Sequence, residues 1–166
     1  MAESKIMKWL RVEQKEFVNA VRMAIAAVAS LLIAHLFKLP EAYWATIAAM
    51  IVMQSTLGAA WTISKERLAG TALGAAAGAL LATFAGQSVA VFGAGVFALG
   101  VICAILRIDR GAYRYAGITL VIVMMIAHTQ PAWIIAIHRF CEISVGIAVG
   151  LALTAVWPES EPAAAV

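Results

Sequence analysis

The stretch that decides the fold runs from Tyr43 to Gly78, YWATIAAMIVMQSTLGAAWTISKERLAGTALGAAAG. An apolar segment ends at Gln54-Ser55-Thr56, a second helical run begins near Trp61, and within it Arg67 is followed by Gly70, Thr71, Gly74 and Gly78. Moved 72 residues along the chain, the pattern recurs without a gap. Tyr43, Met53, Trp61, Ile63, Arg67, Gly74, Gly78 and Leu81 fall on Tyr115, Met125, Trp133, Ile135, Arg139, Gly146, Gly150 and Leu153. Alanine matches carry little weight in so alanine-rich a chain. The paired Trp, Arg and Gly residues carry much more.

Composition sets the environment. Hydrophobic residues make up 64% of the 166, charged residues 13%, and the mean hydropathy is +0.94. An ordinary soluble domain holds roughly 45–50% apolar residues, so this chain reads as an integral membrane protein with the lipid bilayer as its surroundings. Its length accommodates six spans of roughly 20 residues joined by tight loops, with nothing left for a second domain. Cys103 and Cys141 lie in apolar segments and read as buried free thiols, neither a disulfide framework nor a metal pair. The net charge of +3 comes from one-sided loops, which argues topology and not nucleic-acid binding.

The first 16 residues carry seven charges, and no short apolar core with a small-residue cleavage site follows, so they are not read as a signal peptide. Residues 4–16 place Ile6, Trp9 and Leu10 near one helical face. That suits a short helix in the membrane interface, and equally a frayed polar lead-in. The six spans are expected at Phe17–Phe37, Ala42–Leu57, from between Ala59 and Ser64 to Phe84, Val89–Leu106, Tyr113–His128 and Ala132–Val156. A polar tail of residues 159–166 follows. Assigning Lys and Arg to alternate sides gives ten against two, with Lys38 and Arg139 in the minority, which predicts both termini in the cytoplasm.

The expected fold is therefore all-α: a polytopic membrane protein with six transmembrane helices in two repeats, about 17–85 and 89–158. Each repeat has an odd number of spans, so the copies insert upside down relative to one another. Inverted repeats place substrate sites near the bilayer midplane at the repeat interface. The first helices of the halves do not align visibly, since Arg22 falls on Ala94.

Arginines inside apolar helices are the candidates for chemistry. With helix starts near Ala59 and Pro131, Arg67 and Arg139 lie about eight residues in, roughly 12 Å along the axis. An Arg that deep costs roughly 2.5–3.5 kcal/mol on insertion scales and needs a partner or a wet cavity. Two of them form a ladder for an anion, because guanidinium stays charged and its fork matches a carboxylate. A helix starting at Ser64 instead makes Arg67 an interfacial anchor. Glu142, three residues after Arg139, neutralises it within the helix or serves as a proton-coupling carboxylate. Thr71 joins the candidate anion pathway, as do Gln54 at the end of the second span and His128 after the fifth.

Gly70, Gly74 and Gly78 share one helix face, as do Gly146 and Gly150, and small residues at that spacing let helices approach closely. Tyr43, Trp44, Trp61, Tyr113, Tyr115 and Trp133 read mainly as an aromatic belt, and His35 as interfacial. His138, Cys141 and Glu142 cluster at helical spacing, yet no nucleophile elbow, second metal-ligand cluster or phosphate-binding loop accompanies them. No enzyme, cofactor or metal is expected.

The order Tyr43-Trp44, polar break, then Arg67-x-x-Gly70-Thr71-x-x-Gly74-x-x-x-Gly78, and the second copy from Arg139 to Trp157-Pro158, resembles the fusaric acid resistance or aromatic acid exporter group. The plant aluminium-activated malate channels are related to that group. The resemblance covers residues 17–158. It implies export of small organic anions, aromatic or other carboxylates, from a bacterial inner membrane by a homodimer. The alternatives are an anion channel of the malate type and a non-transporting membrane subunit whose glycine faces bind partner helices.

Overall fold

The computed structural model describes residues 2–53, 56–126 and 130–157, with side chains from Glu16 onward. Within the described residues six helices follow one another: α1 (Ala2–Leu36), α2 (Tyr43–Met53), α3 (Leu57–Phe84), α4 (Val89–Ile105), α5 (Arg110–Met125) and α6 (Ala132–Val156). The described residues contain no strand. Among the described residues, three segments are long and apolar enough to cross a membrane: Glu16–Leu36 of α1, α3 and α6. α2, α4 and α5 are shorter, at 11, 17 and 16 residues.

The segment expected as an interfacial helix or a frayed lead-in is helical and continuous with the first span, as the first part of α1. Residues 4–16 are rich in Lys, Glu, Gln, Leu, Met and Arg, all good helix formers, and hold no Gly or Pro to interrupt the run. α3 begins at Leu57, ahead of the expected window, and the start at Ser64 is excluded. Arg67 thus lies ten residues beyond the first residue of α3, about 15 Å along the axis.

α1 ends where Lys38 turns left-handed at φ 55°. Its N–H donates to the His35 carbonyl at 2.8 Å, and the Leu39 N–H donates to that of Ala34 at 3.0 Å, the two bonds of a Schellman cap. α4 ends the same way. Arg107 has φ 53°, its N–H donates to Ala104 at 3.3 Å, and the Ile108 N–H donates to Cys103 at 2.9 Å. The first helix of each half therefore stops on a basic residue in the same backbone conformation. These ends are 69 residues apart, while the Arg and Gly pairs are 72 apart, and that difference hides the correspondence from a gapless comparison.

α3 lies along α5, and α6 lies along α2, while α3 and α6 also pack on each other. Every packed pair of helices maps onto another packed pair when α1, α2 and α3 are exchanged for α4, α5 and α6. The glycines set these approaches. A Cβ at Gly74 would strike the Ala116 carbonyl and one at Gly146 the Ala45 carbonyl. Gly78 and Gly150 repeat the arrangement a turn later, each placing a Cβ 2.9 Å from a Val Cβ, of Val123 and Val52 respectively. The interior is correspondingly small, with Ala45, Ala48, Ala49, Ala60 and Ala116 fully buried. Large apolar side chains point outward instead: Phe84, Phe97 and Val156 are 83%, 74% and 84% exposed. An exterior so apolar faces lipid.

Replacing Gly74 or Gly146 by Ala forces a methyl against backbone, and overpacking of that kind costs about 1–3 kcal/mol. The midpoint of thermal unfolding in detergent micelles is expected to fall by roughly 2–4 °C per kcal/mol for a chain of this size. Gly117→Ala meets nothing within 4 Å and is expected to leave the midpoint unchanged or raise it.

Candidate functional site

Arg67 of α3 and Arg139 of α6 line one cavity of about 140 Å³. Thr71, Thr119, Trp44 and Tyr115 line it with them, among isoleucines. Both guanidiniums are buried, at 5% and 2% exposure. Each lies over an aromatic ring on the helix its own helix crosses: Arg67 Cζ is 5.0 Å from the Tyr115 ring centre and Arg139 Cζ is 4.4 Å from that of Trp44. A cation over a desolvated ring is held by about 2 kcal/mol, without losing its charge.

The two arginines then differ. Arg139 donates through Nη1 to Glu142 Oε2 at 3.3 Å and through Nη2 to Glu41 Oε2. Glu142 is fully buried and also accepts the Glu41 backbone N–H on Oε1 at 2.9 Å. Glu41 Oε2 accepts in addition from Tyr43 Oη at 3.0 Å and Trp44 Nε1 at 3.2 Å. Arg139 is therefore tied to two carboxylates, one on its own helix and one on the α1–α2 connection. Arg67 makes no ion pair among the described residues, and its Nε is buried without a hydrogen-bond partner.

Arg139 also lines a second cavity, a vestibule of about 160 Å³. Pro40, Glu41, Gln130, His138 and Glu142 line it. Arg139 lines both cavities, while Glu41 and Glu142 line the vestibule alone. Several waters fit in each volume, and the polar lining gives them partners.

Of the expected pathway residues, Arg67, Thr71 and Arg139 meet in the inner cavity, while Glu142 faces the vestibule. Gln54 and His128 lie outside the described residues. Trp61 and Trp133 are each 57% exposed, as belt residues would be. Tyr115 and Trp44 instead serve the arginines. His35 is exposed, its Nδ1 2.8 Å from the Leu31 carbonyl. No cluster of three His, Cys, Asp or Glu able to hold a metal occurs among the described residues.

Glu41 escaped the sequence reading. Its signal was there: an acidic residue between Pro40 and the Tyr43-Trp44 pair, on a short connection assigned to the same side as Arg139.

A helical membrane body of two interlocked halves, with a pair of buried arginines at their crossing, is the class of protein that fold and site define. Residues 26–153 match the family described as fusaric acid resistance protein-like, and the chain belongs to it. It is 32% identical over 169 residues to a protein of Escherichia coli K12 named uncharacterized transporter YdhK, covering 96% of this chain and 25% of that protein. The Salmonella typhimurium LT2 protein of the same name is 28% identical over 171 residues, with 95% and 25% covered. The chain thus spans a quarter of the length of these relatives. No solved structure matches it.

Arg139→Gln would leave the buried Glu142 without its cation, and breaking a buried pair this way costs about 3–5 kcal/mol. The double variant Arg139→Gln/Glu142→Gln is expected to recover part of the loss. Denaturant titration of the purified protein in detergent checks the order.

Proposed function

We propose that this chain is a membrane transporter unit that moves small organic anions, aromatic or other carboxylates, out of the cytoplasm. The observation that carries the reading is the single cavity with two buried guanidiniums and two aromatic faces. A flat carboxylate suits such a lining: the carboxyl group takes the Arg67 fork, threonine hydroxyls add hydrogen bonds, and the isoleucines and rings receive an apolar body. That the relatives are named transporters supports the same class.

On this reading all six helices cross the bilayer, α2, α4 and α5 as short spans, and the halves are inverted repeats. The interchangeable packing of α1–α3 and α4–α6, and the matching Schellman caps, support two equivalent halves. The charge count then keeps both termini in the cytoplasm of a bacterial inner membrane and puts the vestibule beside Glu41 on the opposite side. Two chains assemble as a homodimer. Leaving a negative interior is downhill for a monovalent anion by about 2.3 kcal/mol per 100 mV, so neither cofactor nor ATP is required.

The alternative of a non-transporting subunit relied on glycine faces free to bind partner helices. Those faces are occupied within this chain, by α5 and by α2.

Reconstitution into proteoliposomes at a clamped potential tests the reading, with benzoate and malate efflux measured separately. Wild-type flux above that of empty vesicles is expected. Arg67→Gln should cut it roughly tenfold or more, the worth of a hydrogen bond to a charged group. Flux equal to empty vesicles from well-folded protein overturns the proposal, and a conductance that reverses at the anion equilibrium potential without pH coupling selects the channel version of it.

A further inference from the structure

Arg139 is bonded to more negative charge than it carries. Two carboxylates meet one guanidinium, and they are held very differently. Glu142 sits one helical turn from Arg139 on the same helix and is fully buried, so its pairing is fixed by the fold. Glu41 belongs to the irregular connection between α1 and α2, and its side chain is 27% exposed toward the vestibule. Its Oε2 accepts from Arg139 Nη2, Tyr43 Oη and Trp44 Nε1 together. That is a complete set of donors for one carboxylate oxygen: guanidinium, phenol and indole, assembled around a group that enters from the solvent side.

We propose that the Arg139–Tyr43–Trp44 donor set is a second carboxylate-binding site, that Glu41 is its tethered occupant, and that a passing carboxylate displaces Glu41 between cavity and vestibule. The inference rests on the anion-transport reading and adds a regulation to it. Arg67, with an unpartnered buried Nε and no ion pair among the described residues, takes the anion first. Arg139 is closed by its own carboxylate until the incoming one competes for the same donors. Exchange of one carboxylate for another leaves the charge at Arg139 unchanged, so the desolvated guanidinium is never without a counter-ion during passage. The fixed Glu142 holds Arg139 in place throughout.

Benzoate titration of the purified protein in detergent separates the two sites when Arg67→Gln removes the first. In Arg67→Gln, benzoate is expected to bind weakly, because it competes with Glu41. In Arg67→Gln/Glu41→Gln the affinity should rise at least tenfold, with a change in tryptophan fluorescence that Trp44→Phe removes. Arg67→Gln/Glu41→Asp, which keeps the charge on a shorter tether, should fall between the two and serves if the Gln variant fails to fold. Equal affinity with and without the Glu41 carboxylate overturns the tethered-occupant proposal. If in that case wild-type protein still binds benzoate and Arg67→Gln weakens it, the transport reading stands. A wild-type protein that binds neither benzoate nor malate overturns both.

Discussion

Two backbone approaches govern this molecule. Gly74 lies against the Ala116 carbonyl and Gly146 against that of Ala45, so α3 rides on α5 and α6 on α2 with no side chain between them. Such contact replaces the hydrophobic driving force that lipid does not supply between apolar helices. It also fixes what stands a turn or two away. Arg67 and Arg139, each seven residues before its glycine, are brought over the rings of Tyr115 and Trp44. A larger residue at either glycine would part the helices, and a guanidinium would lose its ring.

The halves are alike in this framework and unlike at one position. Gly70 admits the Ala112 carbonyl and the Tyr115 Cβ, so that α5 packs against α3 from its first turn. In the other half the equivalent position is Glu142, whose carboxylate reaches across to the Glu41 backbone N–H at 2.9 Å. There the chain stays irregular until Tyr43. The three-residue difference between the two offsets falls in this region, between the Schellman caps and the aromatic heads of α2 and α5. One carboxylate for one glycine therefore accompanies both the broken symmetry of the connections and the unequal charge of the arginine sites.

Much of this was legible in the sequence. Apolar runs and their breaks located every helix, Ala132–Val156 to the residue, because membrane helices differ so sharply from their connections. The 72-residue repeat found the arginines and the glycines, and Gly74 and Gly146 do pack backbone to backbone. Glu41 was missed because its partners Arg139 and Glu142 are about a hundred residues away, and no local spacing encodes such a contact. Tyr115 and Trp44 were read as interfacial because an aromatic at a helix end is ordinarily that. Only the crossing of α3 with α5 and of α6 with α2 turns those rings inward. The Ser64 start that would have made Arg67 an anchor is not the one adopted, since α3 begins at Leu57.

An aromatic partner and a carboxylate partner solve the problem of a buried arginine differently. A carboxylate cancels the charge, and the pair then presents little field to anything else. A ring leaves the charge intact: Tyr115 lowers the cost of burying Arg67 through its quadrupole, yet the guanidinium keeps its positive field in the cavity. A transport site needs that combination, because binding must suffice to strip water from the ion and still be weak enough to let it leave. A permanent carboxylate at Arg67 would cancel that field, and a guanidinium buried with neither ring nor hydroxyl beside it would cost more to keep. Tyr115 and the threonine hydroxyls of the shared cavity put Arg67 between those limits on the anion-transport proposal, and the doubly paired Arg139 is the site that the same proposal closes.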